Sequence, residues 1–178
     1  QHRSGMGDFF SSAQFRADPS KVRTLDDYLR IARSTPLEFE PGARERYSNL
    51  GYVVLGAIVQ QVSGKPWHEA IVEYVYRPAG MTSSGVYDRT AAGIAQGYVG
   101  TPPNLELNLA TLPGLGSPAG GTYATADDLR RFALALFDHR LLDRAHSDLW
   151  FNRFQEGRSG RGPLGIAGGA PGVNAELV

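Results

Sequence analysis

The chain contains no cysteine, which excludes disulfide scaffolds, thiolate zinc sites, iron–sulfur clusters and a cysteine nucleophile, and leaves the redox compartment undetermined. It has no excess of either charge, since 18 Lys plus Arg balance 18 Asp plus Glu. No basic field is therefore available to hold a phosphate backbone, and nucleic acid is not an expected partner. No apolar run approaches the roughly 20 residues that a membrane helix requires, and Gln1-His2-Arg3-Ser4 has no signal-peptide core. Histidine is sparse and scattered, at His2, His68, His139 and His146; none forms the pair flanking a Glu that a zinc protease uses, so no metal is expected. The Gly-rich Gly114-Leu115-Gly116-Ser117-Pro118-Ala119-Gly120 fails the dinucleotide spacing and is followed by no Gly-Lys-Ser or Gly-Lys-Thr, which removes the phosphate cradle. A Gly-x-Ser-x-Gly nucleophile elbow is also missing, which argues against an α/β-hydrolase.

What is present can fold. The 178 residues are 42% hydrophobic and 10% aromatic, enough for a core and of single-domain length, with no internal repeat or linker. Thr24-Leu25-Asp26-Asp27 has capping-box spacing, and the stripe Leu25, Tyr28, Leu29 and Ala32 predicts a helix over Leu25 to Arg33. Leu50, Val53, Val54, Ala57, Ile58, Gln61 and Val62 predict a second, ended by a left-handed Gly64. A third is expected to begin with Pro66, to bury Trp67, Ala70, Ile71, Tyr74 and Val75, and to end at Pro78. Ser83 to Pro113 suits irregular strands and loops. Thr125-Ala126-Asp127-Asp128 repeats the capping-box spacing ahead of an amphipathic run through Leu129, Phe132, Ala133, Leu136 and Phe137. Val173 to Val178 reads as a strand.

The chemically informative segment is Pro41-Gly42-Ala43-Arg44-Glu45-Arg46-Tyr47-Ser48-Asn49-Leu50-Gly51-Tyr52, where a Tyr-Ser-Asn triplet sits as a Gly-containing turn enters a helix. On composition alone Tyr47 reads as a partly buried aromatic with a satisfied hydroxyl and Asn49 as a helix N-cap; exposed polar groups for catalysis are the other reading. Continued through Gly56 to Trp67 and on to Arg77-Pro78-Ala79-Gly80-Met81, the stretch closely resembles the serine β-lactamase-like family, which includes class C β-lactamases, D-Ala-D-Ala carboxypeptidases and related esterases. Three further segments fall in that family's order. His2-Arg3-Ser4-Gly5-Met6 resembles its "HTSG" loop, Ser117-Pro118-Ala119-Gly120-Gly121-Thr122-Tyr123 and the run to Leu129 its Gly-Gly turn and helix, and the stretch from Gly168 to Val178 its last active-site strand.

The resemblance implies an α+β fold, the β-lactamase/transpeptidase-like arrangement of an antiparallel sheet flanked by helices plus a helical domain. It also implies a serine hydrolase that forms an acyl-serine with an ester, a β-lactam or a peptidoglycan-like peptide amide and needs no cofactor. In the family a Ser-x-x-Lys serine attacks the carbonyl while its Lys and the Tyr of Tyr-x-Asn share proton handling. Tyr47 inherits the base or proton-shuttle role, Asn49 a hydrogen bond to the Lys or to the substrate amide, and Ser48 the variable position. The third motif falls on Ile166, Ala167 and Gly168 where the family carries Lys-Thr-Gly or His-x-Gly, and Gly169 is the expected backbone oxyanion donor.

The chain departs from the family in two places. No Ser is followed three residues later by Lys, since Lys21 and Lys65 are the only lysines. Residues 1–178 therefore read as one partial domain whose nucleophile region and final strands lie on a longer protein. At Ile166 either a true substitution has occurred or a stretch is missing near Gly157 to Gly165. A piece of this kind is expected to expose a large apolar face. The alternative is a catalytically inactive binding or regulatory homologue. Substrate choice, oligomeric state and localisation, periplasmic or extracytoplasmic among the options, are left open by these motifs.

Overall fold

Short polar side chains organise the first stretch of chain. A computed structural model describes residues 2–155 and 166–177, and it opens with a 3₁₀ turn at Phe9–Ser11, helix α1 (Ala13–Ala17) and a second 3₁₀ turn at Pro19–Lys21. Each is started by a side-chain oxygen: Asp8 accepts from the Phe10 N–H, Ser12 from that of Phe15 and Asp18 from that of Ser20. The expected capping box at Thr24 forms in full, with Thr24 and Asp27 each accepting the other's backbone N–H, and launches α2 (Leu25–Ser34). Helix α3 (Asn49–Ser63) is capped by the Ser48 hydroxyl and stopped by Gly64 at φ 68°. Asn49 is thus the first helical residue and not the cap: Ser48 has the extended backbone and bonds the Gly51 N–H, while the Asn49 amide is bonded to Tyr47 and Asp8.

Pro66 is likewise the N-cap of α4 (Trp67–Ile71) and not its first residue. This helix does not end at Pro78. It widens into a π turn at Val72–Tyr76 and runs on as α5 (Arg77–Ala79) to Gly80, which takes the left-handed conformation. The wider turn rotates the helical face: Tyr74 is exposed, while Tyr76, absent from the expected stripe, is buried.

Two apolar clusters result. In the first, Phe9, Phe15, Val22, Tyr28, Ile31, Leu50 and Val53 join the opening turns to α2 and α3. In the second, Tyr76, Ala79, Met81 and Ala135 join the end of the π turn and α5 to α6 (Ala126–Phe137). Thr125 caps α6 as expected, but the Asp128 carboxylate does not complete a capping box. It is buried, accepting from the Ser83 N–H and the Ser84 hydroxyl at 2.7 Å each, and so ties the helix to the loop after α5.

Sheet structure is sparse among the described residues. β1 (Gly85–Val86) pairs antiparallel with β4 (Thr122–Tyr123), β2 (Tyr98–Thr101) with β3 (Asn104–Leu107), and β5 (Ile166–Ala170) with β6 (Val173–Leu177). Helix α7 (Arg144–Gln155) lies between α6 and β5 in sequence. Helix α3 is apolar nearly all round and buries only one side. Ile58 and Val62 do not join the core; with Tyr52, Leu55 and Val59 they form an exposed apolar face, Val62 being 82% exposed.

The buried side of α3 meets the Ser117–Gly120 loop at Gly56. A Cβ there would lie 2.1 Å from Pro118 Cγ and 2.4 Å from its Cβ, so the loop can rest on the helix only because position 56 has no side chain. Replacing Gly56 by Ala gains about 1 kcal/mol of helix propensity but forces an overlap that costs about 1–3 kcal/mol. Gly56→Ala is expected to lower the urea midpoint; an unchanged or raised midpoint would remove this contact as a determinant of the fold.

Candidate active site

The site is assembled from two segments, 33 to 44 residues apart in sequence, that run beside each other. Backbone bonds lead from Glu38 N–H to Gly5 O, Gly42 N–H to Arg3 O and Arg46 N–H to His2 O, at 2.8, 2.8 and 2.9 Å. Gly5 makes the approach feasible: its φ is 76°, and a Cβ would lie 2.0 Å from the Phe39 carbonyl oxygen. At the end of this run the Gly7 carbonyl accepts from the Ser48 hydroxyl at 3.1 Å and from the Leu50 N–H at 3.4 Å.

Ser48, the middle residue of the triplet, has a structural role here. Its side chain is buried at 1% exposure, its hydroxyl both donates to Gly7 and accepts from the Gly51 N–H at 2.8 Å, and its own N–H donates to His2 Nδ1 at 3.1 Å. The His2 ring packs beside Tyr47, centroids 4.5 Å apart, and beside Tyr52 at 5.4 Å.

Pinning Ser48 leaves its two neighbours side by side. The Tyr47 hydroxyl donates to Asn49 Oδ1 at 3.1 Å, and Asn49 Nδ2 donates to the Asp8 carboxylate at 2.7 Å. Asn49 is buried whereas Tyr47 is 63% exposed, so the pair presents a phenol to the outside, backed by a fixed amide. Partial burial is the largest influence on the phenol and pushes its pKa above the ordinary tyrosine value; the Asp8 charge and then Tyr52 act in the same direction. No Lys or Arg side chain among the described residues is bonded to the Tyr47 hydroxyl, and Arg46, its sequence neighbour, pairs with Glu38 at 2.9 Å. As arranged, the Tyr47 phenol keeps its proton at neutral pH.

The third-motif candidates lie elsewhere in the hydrogen-bond map. Ala167, Gly168 and Gly169 face Glu176, Ala175 and Asn174 across the β5–β6 hairpin; the Ile166 side chain and residues 157–165 lie outside the described residues. The hairpin tip is held by Asn108 Nδ2, which donates to Pro171 O at 2.9 Å, and by Gly172, whose φ of 77° lets it lie against the Tyr98 backbone. No hydrogen bond or ring contact of the described residues joins Gly169 to Tyr47 or Asn49. Among those residues there is also no group of three His, Asp or Glu able to hold a metal, and no helix long and apolar enough to cross a membrane. Asp8 is the site residue that the sequence did not reveal: its spacing before Phe10 signals a cap, and nothing local signals its reach to Asn49.

A family model described as Beta-lactamase matches residues 1–170. The chain belongs to the Beta-lactamase family. Its fold is the β-lactamase/transpeptidase-like α+β fold, since it superposes on the penicillin binding protein of Bacillus halodurans with a TM-score of 0.76 at 34% identity, over 83% of this chain and 47% of that one. The D-amino acid amidase of Ochrobactrum anthropi SV3, solved with D-phenylalanine, matches with a TM-score of 0.68 at 28% identity, over 82% of this chain and 45% of that one. Penicillin-binding protein 4* of Bacillus subtilis is 28% identical over 167 residues, which take in 85% of this chain and 37% of that protein. The chain therefore spans less than half the length of these relatives.

Ser48→Ala removes the cap of α3 and the buried hydroxyl bond to Gly7 together. A loss of about 1–3 kcal/mol in chemical denaturation is expected, with faster exchange of the Gly51 amide proton. Retention of both would mean that Ser48 does not clamp the two segments.

Proposed function

We propose that this chain carries the proton-transfer half of the acyl-serine site of a Beta-lactamase-family hydrolase, with Tyr47 as the shuttle and Asn49 as its fixed partner. The observation that carries the reading is the exposed Tyr47 phenol hydrogen-bonded to a buried Asn49 at the first turn of a helix, in a chain of that family. The nucleophile of the proposal is a Ser-x-x-Lys serine of the longer protein, because this chain has no such motif. Its lysine would supply the cation that the raised pKa of Tyr47 calls for.

In the reaction so assigned, the serine oxygen bonds to the substrate carbonyl carbon while its proton passes to the Lys–Tyr47 pair. The bond from that carbon to nitrogen or oxygen then breaks, and the leaving group takes the proton through Tyr47. Water, deprotonated by the same pair, releases the acid and restores the serine. The substrate class proposed is an ester, a β-lactam, or a peptide or D-amino acid amide, in keeping with the names of the penicillin-binding and amidase relatives. The backbone N–H of Gly169 is the proposed second oxyanion donor, in a segment where Ala167, Gly168 and Gly169 keep side chains small.

An inactive binding homologue is favoured instead if Ile166 is a true substitution at the third motif's first position, where the resemblance implies a cation or an imidazole. Tyr47→Phe separates the two readings. In the full-length protein it is expected to slow acylation by about 10²–10⁴, the range for a lost acid–base group, with the fold unchanged by circular dichroism. Acylation at the wild-type rate would remove Tyr47 from the mechanism, and its absence in the wild-type protein would favour the inactive homologue.

A further inference from the structure

Asn49 can face the Tyr47 hydroxyl in two ways, as an acceptor through Oδ1 or as a donor through Nδ2, and the amide alone does not choose. Asp8 chooses. An ionised carboxylate only accepts, so it can take Nδ2 and not Oδ1, and at 2.7 Å the bond is of the short, charge-assisted kind. The amide is thereby turned with Oδ1 toward Tyr47, whose hydroxyl donates to it at 3.1 Å.

Asp8 is itself held in place. Its other oxygen accepts the Phe10 N–H at 3.0 Å, its neighbours Gly7 and Phe9 are buried, and Phe9 is part of the first apolar cluster, against Tyr28 at 4.9 Å between ring centroids. The Gly7 carbonyl is bonded to Ser48 and Leu50, so the carboxylate and the amide are fixed relative to each other from both chain segments.

We propose that Asp8 is a positioning residue that acts through Asn49: it holds the amide oxygen toward the site, so that the Tyr47 hydroxyl and any incoming N–H, from a lysine or a substrate amide, meet an acceptor there. This assignment deepens the acyl-transfer reading and in its catalytic consequence rests on it. The titratable groups around Tyr47 are Asp8, Tyr52 and His2. The Asp8 charge also helps to keep the phenol protonated until a cation arrives, so replacing that charge lowers the Tyr47 pKa even where the hydrogen bonds survive.

Two substitutions in the full-length protein test the assignment. Asp8→Ser keeps an oxygen to cap Phe10 but is too short to reach Asn49, whereas Asp8→Asn, with its one oxygen toward Asn49, keeps the acceptor for Nδ2 while giving up the charge and the Phe10 cap. The readouts are exchange of the Asn49 side-chain amide protons and the Tyr47 ring-carbon titration, both by NMR, alongside the rate of acylation by a β-lactam. Asp8→Ser is expected to speed amide exchange about tenfold or more and to slow acylation by about 10–10², the scale of a misplaced catalytic group. Asp8→Asn, its oxygen facing Asn49, is expected to exchange more slowly and acylate faster than Asp8→Ser, with Tyr47 titrating at lower pH than in the wild type. Wild-type exchange, titration and acylation in Asp8→Ser would overturn the proposal. A wild-type protein that is never acylated, yet shows these shifts in exchange and titration, would overturn the acyl-transfer reading and leave the positioning role of Asp8 supported.

Discussion

The structure around the candidate site depends on one carbonyl oxygen. Gly7 O receives both the Ser48 hydroxyl and the Leu50 N–H, and through that junction the first residues of the chain are bound to the start of α3. A helix start normally leaves several N–H groups without partners; here Ser48 satisfies one of them and is in turn anchored from outside the helix. The direction in which α3 leaves the turn, and with it the spacing of Tyr47 and Asn49, is set by this clamp. Gly5 permits it by bringing the two strands of chain within backbone hydrogen-bonding distance, where a Cβ would collide with Phe39 O.

From the clamp the chemistry follows by elimination of freedoms. Ser48 turns inward, so Tyr47 and Asn49 fall on either side of it, one open and one buried. The buried amide is oriented by a carboxylate and the open phenol by the amide. Burial, the Asp8 charge and Tyr52 all favour the neutral form of the phenol, which makes a poor base and a good hydrogen-bond donor. In the proposed function this is a resting arrangement that a cation completes. The opposite design, a phenol surrounded by cations within this chain, would have implied a standing phenolate.

Much of this was legible in the sequence, and the reasons are physical. The helices at Thr24, before Gly64 and after Thr125 are specified by local signals, caps and left-handed glycines, which act within four residues and survive in a linear reading. Tyr47 and Asn49 were found through their spacing in a motif that resembles a family. What failed was competition between neighbours and contact at a distance. Ser48 takes the cap, and the Asn49 amide is bonded to Tyr47 and Asp8 instead. The π turn at Val72–Tyr76 moves burial from Tyr74 to Tyr76. Asp128 abandons the capping box for Ser83 and Ser84. Asp8 pairs with a residue 41 positions away, which no periodicity encodes.

The central claim is that Tyr47 and Asn49 serve an acyl-serine. It is tested most directly by incubating the full-length protein with a β-lactam or an activated ester, measuring its intact mass and mapping any adduct by peptide digestion. The account expects a single acyl adduct on the serine of a Ser-x-x-Lys motif outside these 178 residues. An adduct on a serine within this chain, or no adduct from either reagent, would contradict it.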